Sequence, residues 1–195
     1  TPEGYARNPE LVINFYNERR KQLLEVRPND GHLGLAELEA DFNVTVVTQN
    51  IDNLHERAGS RRIIHLHGEL TKVCSSRDPY NPHYIKELKP DEYEVKFGDK
   101  AGDGTQLRPF IVWFGEPVPE IETAVNYVEK ADIFVIIGTS MNVYPAAGLL
   151  NYVPREAEVY LIDPKPVDVH SMRRIHVIQK GASEGVRELR SLLQS

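Results

Sequence analysis

The chain has 195 residues, a formal net charge of −6 and a single cysteine, Cys74. That length suits one domain with a substantial core and room for a small insertion. The acidic balance argues against a broad nucleic-acid footprint, one cysteine excludes an intrachain disulfide, and no apolar run nears the ~20 residues that span a bilayer. A chain that opens on Thr1 with no signal-peptide pattern reads as the body of a cytoplasmic protein, and a monomer is the favoured state.

Residues 9–26 read as an amphipathic helix with Leu11, Phe15, Leu23 and Leu24 toward the core. Pro28-Asn29-Asp30-Gly31 breaks it, and Asn29 or Asp30 caps a second helix over 32–42. A strand over 44–48, a helical turn over 54–58 and a strand over 63–66 follow. Residues 69–106 carry Pro79, Pro82, Pro90, Gly98, Gly102 and Gly104 among many charges, and read as a small, loop-rich inserted module. Regular alternation then resumes. It runs as strand 110–113, helix 120–130, strand 133–137, helix 146–152, strands 159–162 and 176–178, and a final helix near 184–193. The expected fold is α/β: a Rossmann-like, doubly wound parallel sheet built from 1–68 and 107–195, with 69–106 inserted.

The polar residues that end these strands carry the chemistry. Thr48-Gln49-Asn50-Ile51-Asp52-Asn53-Leu54-His55 closes the apolar run 44–47, and ligands of open α/β sheets bind at the carboxyl ends of strands. His65 and His67 stand two apart in the next strand, hence on one face; they read as metal ligands or as structural histidines. Gly68 frees the backbone beside the His67 imidazole. Trp113-Phe114-Gly115-Glu116 ends another strand, as core aromatics or as an edge for an added peptide strand. Gly138-Thr139-Ser140 follows a buried strand where hydroxyls can hold ribose or phosphate, although no G-x-G-x-x-G is present. Asp163 is either a ribose acceptor or a turn residue before Pro164.

In their order these pieces resemble the sirtuins, the NAD-dependent protein-lysine deacylases. The matching runs are Thr48 to His55, Ala58-Gly59, His67-Gly68, Val112-Trp113-Phe114-Gly115-Glu116, Gly138-Thr139-Ser140, Val143-Tyr144-Pro145-Ala146-Ala147-Gly148 and Gly181-Ala182. Pro28-Asn29 with His32 and Leu35-Ala36-Glu37-Leu38 also fits. The resemblance implies NAD as cosubstrate and acyl-lysine proteins or peptides as partners. It makes His67 the general base on the ribose hydroxyls. Asn50 and Asp52 shape the nicotinamide pocket, Gln49 contacts the ribose, and Gly138, Thr139, Ser140, Asp163 and Ala182 hold the remainder of the dinucleotide. Phe114, Gly115, Glu116 and Val143 sandwich the peptide. The implied reaction has the acyl oxygen attack the ribose carbon as nicotinamide leaves, giving free lysine and O-acyl-ADP-ribose.

Tyr16-Asn17-Glu18-Arg19 further fits the Tyr-x-x-Arg of sirtuins that remove succinyl, malonyl or glutaryl groups, with Tyr16 and Arg19 gripping the distal carboxylate. Two departures stand out. The four zinc cysteines usual in the family's insertion are reduced to Cys74, so no thiolate metal site is expected, and side chains such as Tyr80, Tyr84, Leu88, Tyr93 and Phe97 must hold the module. The family's glycine-rich NAD loop would lie before Thr1. The alternative to a working deacylase is therefore a sirtuin-like domain that only binds acyl-lysine peptides.

Overall fold

The computed structural model describes residues 1–138, 146–166 and 173–195. Its helices are α1 (Pro2–Arg7), α2 (Pro9–Glu25), α3 (Asp30–Glu37), α4 (Leu54–Ala58), α5 (Ile121–Val128), α6 (Ala146–Leu149) and α7 (Ala182–Leu193). Its strands are β1 (Val46–Thr48), β2 (Ile63–His65), β3 (Gly68–Ser75), β4 (Lys86–Glu87), β5 (Leu107–Ile111), β6 (Ile133–Ile137), β7 (Glu158–Ile162) and β8 (Ile175–Ile178). Two compact units emerge. The first comprises Thr1–Arg27, Thr48–Asn53 and His65–Pro119; the second comprises Pro28–Val47, Leu54–Ile64 and Glu120–Ser195. Among the described residues, no helix is long and apolar enough to cross a membrane.

In the first unit, β3 is the centre of an antiparallel sheet ordered β4-β3-β5. Cys74 faces Arg108, Val73 faces Pro109 and Gly68 faces Ile111. This pairing moves the expected boundaries. The strand foreseen over 110–113 lies instead at Leu107–Ile111 and joins the antiparallel sheet, not the parallel one. The sheet pairs Gly68 with Ile111 and Cys74 with Arg108, and the unit that holds residues 69–106 also takes in residues 1–27. The loop-rich reading of the insertion likewise missed β3, whose eight residues are spread among charged neighbours.

α1 and α2 start on local caps: Thr1 Oγ1 accepts from Gly4 N–H at 3.0 Å and Asn8 Oδ1 from Leu11 N–H at 3.1 Å. The face that α2 buries differs from expectation. Leu11, Phe15 and Leu24 are 65%, 56% and 46% exposed, whereas Ile13, Arg20 and Leu23 are buried. Apolar residues occur on several sides of this helix, so its partners decide which side turns inward. Those partners are Val73 and Val95, which form a core with Ile13 and are flanked by Tyr5, Leu88 and Leu107. Leu88 thus helps hold the insertion as foreseen, and Tyr80 meets Phe110 edge-on at 6.5 Å, whereas Phe97 is 59% exposed.

The second unit carries the parallel sheet β6-β7-β8 expected of the α/β class. Ile137 pairs with Ile162, and Ile162 with Ile178, so the three strands finish level. Tyr160, Ile162, Ile178, Val186 and Leu189 form its core, with Leu35, Ile133, Val135, Ile137 and Leu193 packed around them. Each such buried side chain contributes about 1.5–3 kcal/mol. α3 is set by a capping box in which Asn29 Oδ1 accepts from His32 N–H and the His32 ring accepts from Asn29 N–H, both at 3.0 Å. α3 then lies so close to α7 that a Cβ on Gly34 would stand 2.7 Å from Val186 Cγ1. Only glycine fits there.

Candidate active site

In the first unit the chain leaves β1 at Thr48 into a loop whose backbone is committed on all sides. Thr48 Oγ1 accepts from Asn50 N–H at 3.0 Å, Thr48 C=O from Leu66 N–H at 2.9 Å, and Ile51 C=O from Leu70 N–H at 2.8 Å. The Asn50 carbonyl takes a fourth bond from His65 Nδ1 at 3.0 Å. A carbonyl only accepts, so His65 carries its proton on Nδ1 and turns Nε2 toward Glu69, 3.8 Å away. With the backbone pinned, the exposed Asn50 side chain and the half-buried Gln49 and Asp52 are presented from a fixed frame.

His67 sits in the turn between β2 and β3, beyond the end of the strand. The expectation that His65 and His67 share one strand face therefore fails, because alternation ends where the strand ends. His65 is buried, with Nδ1 on the Asn50 carbonyl and Nε2 toward Glu69, so it and His67 are not the same-face ligand pair that strand alternation offered. His67 is half-buried, and among the described residues no hydrogen bond or ion pair engages its imidazole. Its carbonyl accepts from Val112 N–H at 2.8 Å, which ties the turn to the segment that follows β5. Gly68 has φ +90°, and a Cβ there would collide with the Phe110 carbonyl and stand 2.8 Å from Ile111 Cα. The glycine is required by the approach of β5, not by the neighbouring imidazole.

Val112 leads into a tight turn at Trp113–Glu116, closed by Glu116 N–H to Trp113 C=O at 2.9 Å. The Glu116 carboxylate folds back into the unit: it accepts from Arg108 Nη1 and Nη2, both at 3.1 Å, and from Trp113 N–H at 2.8 Å. Arg108 also donates to Ile111 C=O at 2.7 Å, and its guanidinium lies 3.9 Å from the Trp113 ring centroid. With both ends of the turn anchored inward, Phe114 is thrown out to 91% exposure and Gly115 takes φ +89°. A peptide can thus meet the Phe114 ring and backbone, while the Glu116 side chain braces the turn from within. Burial pushes the neighbouring Cys74 thiol and Tyr80 phenol each up to about 12, opposed by the Arg108 charge and reinforced by that of Glu116. Trp113 was read from sequence as a core aromatic or a strand edge, but Arg108 was not singled out; the available signal was an arginine standing just before Pro109 at the edge of an apolar strand.

Tyr16 and Arg19 sit one turn apart on α2, on one face. The half-buried Tyr16 hydroxyl accepts from Trp113 Nε1 at 3.1 Å. Arg19 is exposed, and among the described residues no ion pair takes its guanidinium. The adjacent Arg20 is the structural one. It is 3% exposed, donates to Leu70 C=O and Asn17 Oδ1, each at 2.8 Å, and is pushed down to about 10 by burial, so it stays charged at neutral pH.

In the second unit, Gly138 and Asp163 stand at the carboxyl ends of β6 and β7, where Gly138 N–H donates to Ile162 C=O at 3.0 Å and Asp163 N–H to Ile178 C=O at 3.2 Å. Gly138 has φ +60° and nothing within 4 Å of where a Cβ would be. Asp163 Oδ1 accepts from Lys165 N–H at 2.9 Å, which is the turn role foreseen as one of its two readings. Ala182 is exposed at the first turn of α7, whose free N–H groups favour an anion. Thr139, Ser140 and Val143 lie outside the described residues.

The chemistry of these donors suits a pyridine dinucleotide within each unit. Carboxamide and carboxylate groups beside a free imidazole match a nicotinamide carboxamide and a ribose diol, and an open glycine at a parallel strand end admits a ligand to the backbone. Each of these groupings, taken within its own unit, has the chemistry of a dinucleotide-using enzyme. Residues 1–145 match the model of the Sir2 family, and the chain belongs to that family. It is 84% identical over 193 residues to an NAD-dependent protein deacylase of Bacteroides thetaiotaomicron, covering 99% of this chain and 82% of the relative. An NAD-dependent protein deacylase of Helicobacter pylori is 47% identical over 189 residues, covering 97% and 80%. Among solved structures, a Sir2 homolog–NAD complex superposes with a TM-score of 0.81 at 34% identity, covering 99% of this chain and 77% of its own. A Sir2–p53 peptide–NAD+ structure gives 0.78 at 26%, covering 98% and 81%.

Proposed function

We propose that this protein is an NAD-dependent protein-lysine deacylase that favours acyl groups ending in a carboxylate. The observation that carries the deacylase reading is the free His67 imidazole, on a turn whose backbone is tied down by the Val112 bond beside a pinned Gln49–Asp52 loop. Bound NAD would supply the electrophilic ribose carbon. Asn50 and Asp52 would hold the nicotinamide amide and Gln49 the ribose. His67 would take the proton from a ribose hydroxyl as that oxygen attacks the acyl carbon. Acyl-lysine would reach the site as an extended peptide against Phe114 and Gly115. The acidic preference is supported by Arg19, an exposed guanidinium one turn from a phenol on the same helix face. A charged acyl group needs such a partner to offset its desolvation.

The test compares NAD-dependent rates on succinyl-lysine and acetyl-lysine peptides. His67→Ala should lower both by roughly a hundred- to ten-thousandfold with an unchanged circular dichroism spectrum. Arg19→Met should lower succinyl efficiency by about ten- to a hundredfold and spare acetyl-lysine. Near-normal turnover in His67→Ala removes the general-base role. An unchanged succinyl-to-acetyl ratio in Arg19→Met removes the acidic preference alone.

A further inference from the structure

The Tyr16 hydroxyl has a constraint that its place in the sequence does not reveal. An indole N–H can only donate, so in the 3.1 Å bond between Trp113 Nε1 and Tyr16 Oη the phenol oxygen is the acceptor. The phenol's own hydrogen must then be given to something else, and among the described residues no acceptor takes it. The indole is itself immobilised. Its residue is 6% exposed, its backbone N–H is held by Glu116, the Arg108 guanidinium covers its ring, and the Tyr5 ring lies at 5.2 Å. A cation over the ring also draws electron density from the indole and sharpens its N–H as a donor.

We infer that Trp113 is a positioning residue for acyl selectivity, its indole N–H fixing the Tyr16 hydroxyl as a donor toward the carboxylate of an acidic acyl group. This rests on the acidic-acyl reading of Tyr16 and Arg19. A phenol O–H has two in-plane orientations, and the Trp113 N–H occupies the oxygen lone pair on one side. The hydroxyl hydrogen is left on the other side before any ligand arrives, so less freedom is lost when the carboxylate binds. An acetyl group has no carboxylate to receive that hydrogen and gains nothing from the arrangement.

Trp113→Phe keeps a ring for Arg108 and Tyr5 to pack on while removing the N–H together with part of the buried indole. It should lower the succinyl-to-acetyl efficiency ratio by roughly three- to tenfold, the range of one hydrogen bond. In a Tyr16→Phe background the same change should move the ratio by less than about twofold, because the two groups act as one. Trp113 is the only tryptophan in the chain. Replacing tryptophan throughout by its benzothienyl analogue therefore removes this N–H alone, and should reproduce the effect if Trp113→Phe does not fold. A merely structural role would lower both efficiencies together, and an unchanged ratio in the folded variant or analogue overturns the inference. If Arg19→Met collapses the ratio and the Trp113 changes do not, only this inference falls. If Arg19→Met also leaves the ratio unchanged, the acidic-acyl reading falls and takes the inference with it.

Discussion

Arg108 is 4% exposed, yet its charge is met by a carboxylate, two carbonyls and an indole face. Such a cation is tolerable only while that set is complete. Removing its counter-charge leaves an uncompensated buried ion, which typically costs about 3–5 kcal/mol. Glu116→Ala should therefore destabilise the protein by about that amount in denaturant unfolding. A loss below about 1 kcal/mol would mean that Arg108 finds water instead. At this scale the sequence was legible where the residue type is itself unusual for its place. Asn50, Asp52 and His67 are polar groups at the ends of apolar runs, and that contrast marks them. Arg108 and Glu116 carry no such mark, since a charge before a proline and a charge after a glycine look like solvated turn residues. Their meeting depends on how the chain folds back after β5.

Among the elements, α2 shows most clearly what periodicity leaves open. Its apolar residues allow more than one inward face, and the face chosen brings Asn17 over the backbone of Val95. Asn17 Nδ2 donates to Val95 C=O at 2.8 Å and Asn17 Oδ1 accepts from Val95 N–H at 2.9 Å, as a paired strand would. Val95 is 4% exposed, so Asn17→Ala would leave both groups without water or partner. The expected cost is about 2–3 kcal/mol, with hydrogen exchange at the Val95 amide accelerated relative to amides in β7. Equal acceleration in both places would show global destabilisation and not the loss of a local anchor. β5 teaches a related point. Its apolar half, Phe110 and Ile111, was visible, but its start at Leu107-Arg108 is defined only by pairing with β3, some thirty residues earlier in the chain. The parallel strands β6 and β7 were placed within a residue because continuous apolar runs of that length have few other uses in an α/β chain.

The whole molecule is woven: the chain passes between its two units at Arg27, Val47, Asn53, Ile64 and Pro119. The first unit holds its insertion by the Ile13, Val73 and Val95 core, by Asn17 and Arg20, and by Ser75, whose hydroxyl bonds Asp103 and Thr105. Thiolates take no part, as Cys74 lies in the sheet with its sulfur against the Pro109 carbonyl. The purified protein should accordingly contain no stoichiometric zinc, and its melting temperature should not change in chelator; elemental analysis finding one tightly held metal per chain would overturn this.

The packing of α3 on α7 also has a consequence in time. α3 is complete once Glu37 has been made, but Val186, which fills the space left by Gly34, comes from the far end of the chain. At about 5–20 residues per second, ribosomal synthesis separates the two by roughly seven to thirty seconds. Throughout that interval the small-residue face of α3 has no cover from its own polypeptide. Its local support is the mutual capping of Asn29 and His32, which eight residues with two glycines cannot convert into a lasting helix, so α3 sets firmly when α7 arrives.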